Sequence, residues 1–171
     1  MTRRTRTHLF LLATVALLGV AVYAELHRER TLGLDPLTQI DPAGVRSLAV
    51  TCHACKPRRF ERVDDHWRML EPFAQAADTV AVDRLAAIAR APVRFRHARG
   101  ELDARKLGLD PAYATLDLDG TVLKFGTTDA IHGDRYVEVD GAIALVPDRF
   151  SARLFETPES ELANPLGTTR K

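Results

Sequence analysis

YATLDLDGTVLKF, residues 113–125, reads as a β-hairpin. Tyr113–Leu118 and Thr121–Phe125 alternate in polarity on either side of Asp119-Gly120, and a two-residue turn with positive φ at both central positions favours that pair. The pattern returns downstream, where Arg135–Val139 and Ala142–Val146 flank Asp140-Gly141. Two hairpins in tandem make an antiparallel sheet, so the second half of the chain is predicted to be β. Pro147-Asp148 then leads into a short helix predicted over Arg149–Phe155, and upstream Leu102–Leu107 reads as a helical turn closed by Gly108.

The first half carries shorter signals of the same kind. Val45–Cys52 alternates, with Leu48 and Val50 toward the core; Arg58–Val63 alternates, with Phe60 and Arg62 on one face. Asp64-Asp65 is a turn, after which His66–Leu70 forms a third strand that aims Trp67 and Met69 at Phe60, and Glu71-Pro72 ends it. Asp78–Arg90 is the best helix. Asp78 is its N-cap, Val82, Leu85, Ala86 and Ala89 recur at helical spacing with Ile88 beside them, and Pro92 stops it. Val93–Ala98 is a further strand, with Val93, Phe95 and His97 on one face. The predicted fold is α+β: an antiparallel sheet of tandem hairpins, whole or split between its halves, with one main helix packed on it and a single transmembrane helix in front.

That transmembrane helix rests on LFLLATVALLGVAVY, Leu9–Tyr23, behind Arg3, Arg4 and Arg6. The run is too uniformly apolar for an amphipathic surface helix. As an anchor over residues 9–26 it reaches roughly 25 Å at ~1.5 Å per residue, slightly short of a ~30 Å hydrocarbon core, a gap that end residues or local thinning can close. The arginines ahead of it place the N-terminus in the cytoplasm. Cleavage after Ala24 as a signal peptide is the competing reading, and either way the downstream domain is exported. The resulting division is a basic N-terminus (1–8), the anchor (9–26), a linker with two Asp-Pro pairs (27–44), an exported domain (45–155) and a disordered tail (156–171). A net charge of +1 with dispersed arginines argues against nucleic acid as a partner.

Chemistry has few places to reside. The chain's two cysteines stand in Cys52-His53-Ala54-Cys55. A c-type haem would need His directly after the second Cys, where Lys56 stands. A thioredoxin-like pair would need a helix N-terminus, and this segment leaves a strand toward Pro57. Cys52, His53, Cys55 and, from the next turn, His66 are candidate metal ligands, although structural zinc wants two separated pairs. The favoured reading is a local disulfide between Cys52 and Cys55, or two idle thiols. Asp117 and Asp119 resemble the start of a calcium loop without the later ligands such a loop needs, and a hairpin turn explains them better. Asp129, His132 and Asp134 share one connecting loop, whose default is ordinary surface polarity, and His97 is a strand-end histidine before it is a ligand. No nucleophile elbow, metalloprotease helix or phosphate-binding glycine loop is present. No catalytic residue, cofactor or small-molecule substrate is therefore expected.

Several pieces taken together resemble the bacterial family known as domain of unknown function 4340 (DUF4340). They are Asp64-Asp65-His66-Trp67, Leu70-Glu71-Pro72, Ala77-Asp78 before the helix with Val82 and Leu85, Leu107-Gly108-Leu109-Asp110-Pro111, Gly126, Arg135-Tyr136-Val137 and Leu145-Val146-Pro147. The resemblance spans roughly Val45 to Phe155. It implies a bacterial inner-membrane protein of one pass, with its domain in the periplasm, and a non-enzymatic role among envelope protein partners, as in accessories of ABC-type transport complexes. This chain departs from the family in its shortness and in its Cys-His-Ala-Cys turn. The alternative function, from the residues alone, is a periplasmic thiol-redox or metal-binding protein acting through Cys52 and Cys55.

Overall fold

A computed structural model describes residues 18–20 and 35–163. Leu18–Val20 are helical and exposed; the rest of the expected anchor lies outside the described residues, as do 1–8 and 164–171. Among the described residues no helix is long and apolar enough to cross a membrane.

From Asp35 onward the chain folds around one antiparallel sheet of nine strands, so the fold is α+β and the sheet is not split. In chain order these are β1 (Ser47–Cys52), β2 (Arg58–Val63), β3 (His66–Glu71), β4 (Gln75–Ala76), β5 (Phe95–His97), β6 (Ala114–Leu118), β7 (Thr121–Thr128), β8 (Arg135–Val139) and β9 (Ala142–Val146). In space the order is β4-β3-β2-β1-β6-β7-β8-β9-β5. Three hairpins turn on paired positive-φ residues: Asp64 (49°) with Asp65 (61°), Asp119 (49°) with Gly120 (91°), and Asp140 (51°) with Gly141 (77°). Such turns match the right-handed twist of their strands, and aspartate tolerates that backbone region better than most residues. The two half-sheets meet where β1 lies against β6, Leu48 opposite Leu118 and Cys52 opposite Ala114.

Alternation sends one side chain in two to the core. Leu48, Val50, Phe60, Trp67, Met69, Leu116, Leu123, Phe125, Val137 and Val146 are all at least 98 % buried, and they form one core with Val82, Leu85 and Ala86 of helix α1 (Thr79–Ala86) and with Phe150 and Leu154, the Phe125 and Phe150 rings 5.4 Å apart. Full burial of one such side chain contributes ~1.5–3 kcal/mol, so this one face supplies most of the drive to fold. The Asp78 carboxylate caps α1 by accepting from the backbone N–H of Val80 (2.9 Å) and Ala81 (3.2 Å). The helix is shorter than expected because Ala87–Arg90 tightens into a 3-10 turn, though Ile88 and Ala89 stay buried. Asp83 of α1 accepts from Trp67 Nε1 at 2.8 Å and from Arg62, whose guanidinium lies 4.6 Å from the indole ring.

The opposite face of β7 is covered by the loop before β6. The expected helical turn over Leu102–Leu107 is a run of tight turns instead, with Lys106 N–H on Asp103 O, Gly108 N–H on Arg105 O and Leu109 N–H on Ala104 O. Leu109 is buried against Gly126, and Thr127 N–H donates to Leu107 O at 2.8 Å. A Cβ on Gly126 would stand 2.2 Å from Leu107 O, so only glycine lets the loop approach β7 this closely. Arg135 donates to Gly126 O and holds the Asp148 carboxylate at 2.8 Å, which in turn accepts from Ser151 at the start of helix α2 (Ser151–Leu154).

Both domain boundaries lie further out than the expected 45 and 155. Residues 35–40, expected to belong to a linker, are docked: Leu37 is buried, Leu37 N–H donates to Ala91 O and Thr38 N–H to Ala89 O, both at 2.9 Å. The expected disordered tail is likewise ordered over 156–163. Pro158–Glu161 is a 3-10 turn, Asp78 N–H donates to Glu161 O (2.8 Å), and Ala163 N–H donates to Ala76 O (3.0 Å). Polar, proline-bearing composition hides such docking, because the partners are remote in sequence. The alternation expected over Val93–Ala98 also breaks: Val93 is buried, whereas Phe95, on edge strand β5, is 66 % exposed.

Candidate interaction surface

Cys52 and Cys55 are bonded to each other across the turn after β1, with Cα atoms 5.4 Å apart, and the chain has no free cysteine. His53 is exposed between them, its N–H donating to Tyr113 O at 3.1 Å. His66 stands at the other end of the strands. Arg58 pairs with Val50 near the disulfide and Val63 pairs with His66, so β2 separates the two places by about 17 Å at ~3.4 Å per residue. The four candidate metal ligands are therefore not brought together. Among the described residues no group of three or more His, Cys, Asp or Glu could hold a metal ion.

The carboxylates singled out in the sequence are engaged in holding turns. Asp129 accepts from the N–H groups of Ile131, His132 and Asp134, with His132 Nδ1 3.5 Å away. Burial alone would raise its pKa, but those backbone donors outweigh it and hold the group below the usual carboxylate range. Asp134 is buried and faces Arg94 Nε at 2.8 Å. Asp117 accepts from Gly120 N–H within its hairpin. Asp119 reaches across to the start of β1, accepting from Arg46 N–H, Ser47 N–H and Ser47 Oγ, and burial is again outweighed so that its pKa falls. Asp148 is lowered in the same way by Ser151 and Arg135, against its burial. His97 Nδ1 lies 3.1 Å from Glu101.

Two charged groups central to the packing carry no obvious mark in the sequence. Arg58, at the start of β2, is fully buried; its Nη1 donates to Glu161 at 2.6 Å and its Nη2 to Leu154 O at 2.5 Å. The available signal is the phase of β2, since Arg58 shares its face with Phe60 and a cation there demands an acid. Glu161 supplies that acid from 103 residues away.

Among the described residues, nothing covers the outer face of β3-β2-β1-β6. Ser47, Thr51, Arg59, Glu61, Arg68 and Leu70 are exposed there, with Ala49 half-buried among them. An open groove of about 640 Å³ runs between Arg46, Arg59, Leu70 and Asp117. Thr51 and Thr115 hydroxyls meet at 2.6 Å across the β1–β6 seam, and Arg59 stands 3.5 Å from Glu71. A broad face of both charge signs with scattered apolar atoms resembles the polar rim and small apolar centre of a transient protein contact more than the concave apolar pocket a small molecule needs. Comparison of the chain with protein-family models, curated proteins and solved structures finds no match.

Proposed function

We propose that the chain is a membrane-tethered, exported interaction module without catalytic activity, with its N-terminus in the cytoplasm of a bacterium and its domain in the periplasm. Its relationship to the DUF4340 proteins, and a place as an accessory of an envelope or ABC-type transport complex, belong to the same proposal. The observation that carries it is the uncovered outer face of β3-β2-β1-β6, held on a domain whose polar clusters are otherwise engaged in turns and caps. The apolar run Leu9–Tyr23 behind three arginines supports the tether, and the Cys52–Cys55 bond suits an oxidising compartment.

Photo-crosslinkers placed at Ala49 and Leu70 in native membranes test this reading. Capture of transport or envelope-complex subunits is the expected result; no partner above background from either position refutes it. The Cys52–Cys55 bond also supports a second reading, a thiol-redox protein. Under that reading the double substitution Cys52→Ser, Cys55→Ser abolishes function, whereas the interaction module retains its crosslinks.

A further inference from the structure

We infer that Pro158–Ala163 is a releasable strap and that the buried Arg58–Glu161 pair is its catch. The strap lies along the β4 edge of the sheet. Its backbone contacts there are Asp78 N–H on Glu161 O, Ala163 N–H on Ala76 O and the bridge between Leu162 and Ala77. Pro158 is buried and Leu162 packs half-buried against the core, and the strap's one buried polar anchor is Glu161. Glu161 is 4 % exposed and bonds Arg58, which also binds the carbonyls of Arg153 and Leu154 at the end of α2. The catch is under-satisfied: Arg58 Nε and Glu161 Oε2 are buried and find no hydrogen-bond partner among the described residues. A buried pair with unpaired atoms recovers little of the desolvation of its charges, so the catch itself adds little to the hold of the strap.

The titratable and charged neighbours are few. Arg58 faces Glu161 from β2, Glu156 lies on the approach to the strap, and Lys56 stands 4.0 Å from Glu159 beside it. Burial pushes the Glu161 carboxyl up to about 7, against the pull of Arg58 and with a small addition from Glu156. A raised pKa in the docked state means that docking binds a proton. Docking is therefore tightest below the ordinary value of 4.5 and weakens as pH rises through about 7. Release uncovers Ala76 O and Asp78 N–H, the two groups of the β4 edge that the strap covers, and turns a capped edge into one able to pair with an extended segment.

Amide exchange on the full chain in detergent micelles tests the catch. The Asp78 and Ala163 amides report the docked strap, and the Leu116 amide in the central strand β6 reports the whole domain. After correction for intrinsic exchange, protection at Asp78 and Ala163 is expected to fall about 30-fold between pH 5.5 and 8; Leu116 falls by the same factor, because unfolding of the whole domain also frees Glu161, but stays more protected than the strap at every pH. Glu161→Gln keeps the shape and removes the titration, so its two reporter amides should show a flat profile. Equal pH profiles in the parent and in Glu161→Gln overturn the inference. So does protection at Asp78 as high as at Leu116, because the strap would then open only with the whole domain. An unchanged circular dichroism spectrum confirms that Glu161→Gln is folded.

Discussion

Gly126→Ala should unfold the contact between the loop before β6 and strand β7, and the surrounding atoms set the magnitude. The added Cβ would meet a backbone oxygen, Leu107 O, at 2.2 Å and Leu109 Cγ at 3.0 Å. The oxygen belongs to the main chain, so no rotamer change relieves the clash, and the loop must lift by about an ångström. Lifting it breaks Thr127 N–H to Leu107 O, a net loss of ~1 kcal/mol, and opens the seat of Leu109, whose full burial contributes ~1.5–3 kcal/mol. The sum is about 3 kcal/mol. With a urea slope of ~1.5 kcal/mol/M for a domain of this size, the unfolding midpoint should fall by about 2 M. Trp67 is the chain's one tryptophan and is buried in the core, so its emission follows the transition directly. Gly44→Ala is the control, since nothing lies within 4 Å of its Cβ position and its φ is not positive. Truncating Leu109 to alanine in the Gly126→Ala background should give no rescue. A Gly126→Ala midpoint within about 0.5 M of the parent, or rescue by Leu109→Ala, would refute the backbone clash as the cause.

Asp83→Ala leaves the buried Trp67 Nε1–H without its acceptor and frees Arg62 from the ring, which should cost ~1–3 kcal/mol in urea unfolding and shift the Trp67 emission maximum. The double change Cys52→Ser, Cys55→Ser opens a loop of only a few residues and should lower stability by about 2 kcal/mol at most, measured as a urea midpoint. Asp119 has a lowered pKa, so the stability it contributes is present above its ordinary value of 3.8 and is lost as pH falls through the folded value. Asp119→Asn should accordingly lower the neutral plateau and flatten the acid limb, the two proteins converging at low pH; an unchanged acid limb would show that the clamp on Arg46 and Ser47 contributes nothing.

The features legible in the sequence were local. Asp119-Gly120 and Asp140-Gly141 each determine a turn within four residues, and Arg135–Val139 and Ala142–Val146 form where the alternation places them. Asp78 announces α1 because its carboxylate needs only the two N–H groups just ahead of it. The features that escaped were remote. Nothing near Ser47–Cys52 says that its second neighbour is Ala114–Leu118, because both outer edges present the same row of backbone groups to any strand. Glu161 reads as one acid in a polar tail until Arg58 is placed opposite it. The uncovered face was illegible for a similar reason: alternation shows that Ser47, Thr51 and Glu61 point away from the core, but not that the loop carrying Leu109 crosses β7 and stops short of β1. The cysteine pair shows the limit from the other side, since its spacing suited several chemistries and the surrounding strand and turn favour the plainest.

The β1–β6 seam has a consequence for how the chain assembles. Apart from β5, which pairs with β9, each half-sheet is a meander whose hairpins close over a few residues, and such local pairings form on the microsecond scale. The seam joins residues 62 to 70 positions apart, Cys52 with Ala114 and Leu48 with Leu118. Closing so long a loop is entropically expensive and slow, which makes the seam the rate-setting contact. A chain synthesised from its N-terminus must therefore hold β1 open until residue 118 has emerged. During that interval Leu48 and Val50 are exposed beside an unpaired strand edge, the arrangement most prone to pair with the wrong chain. Expression yield should thus depend on whatever shields residues 47–52 before residues 114–118 arrive.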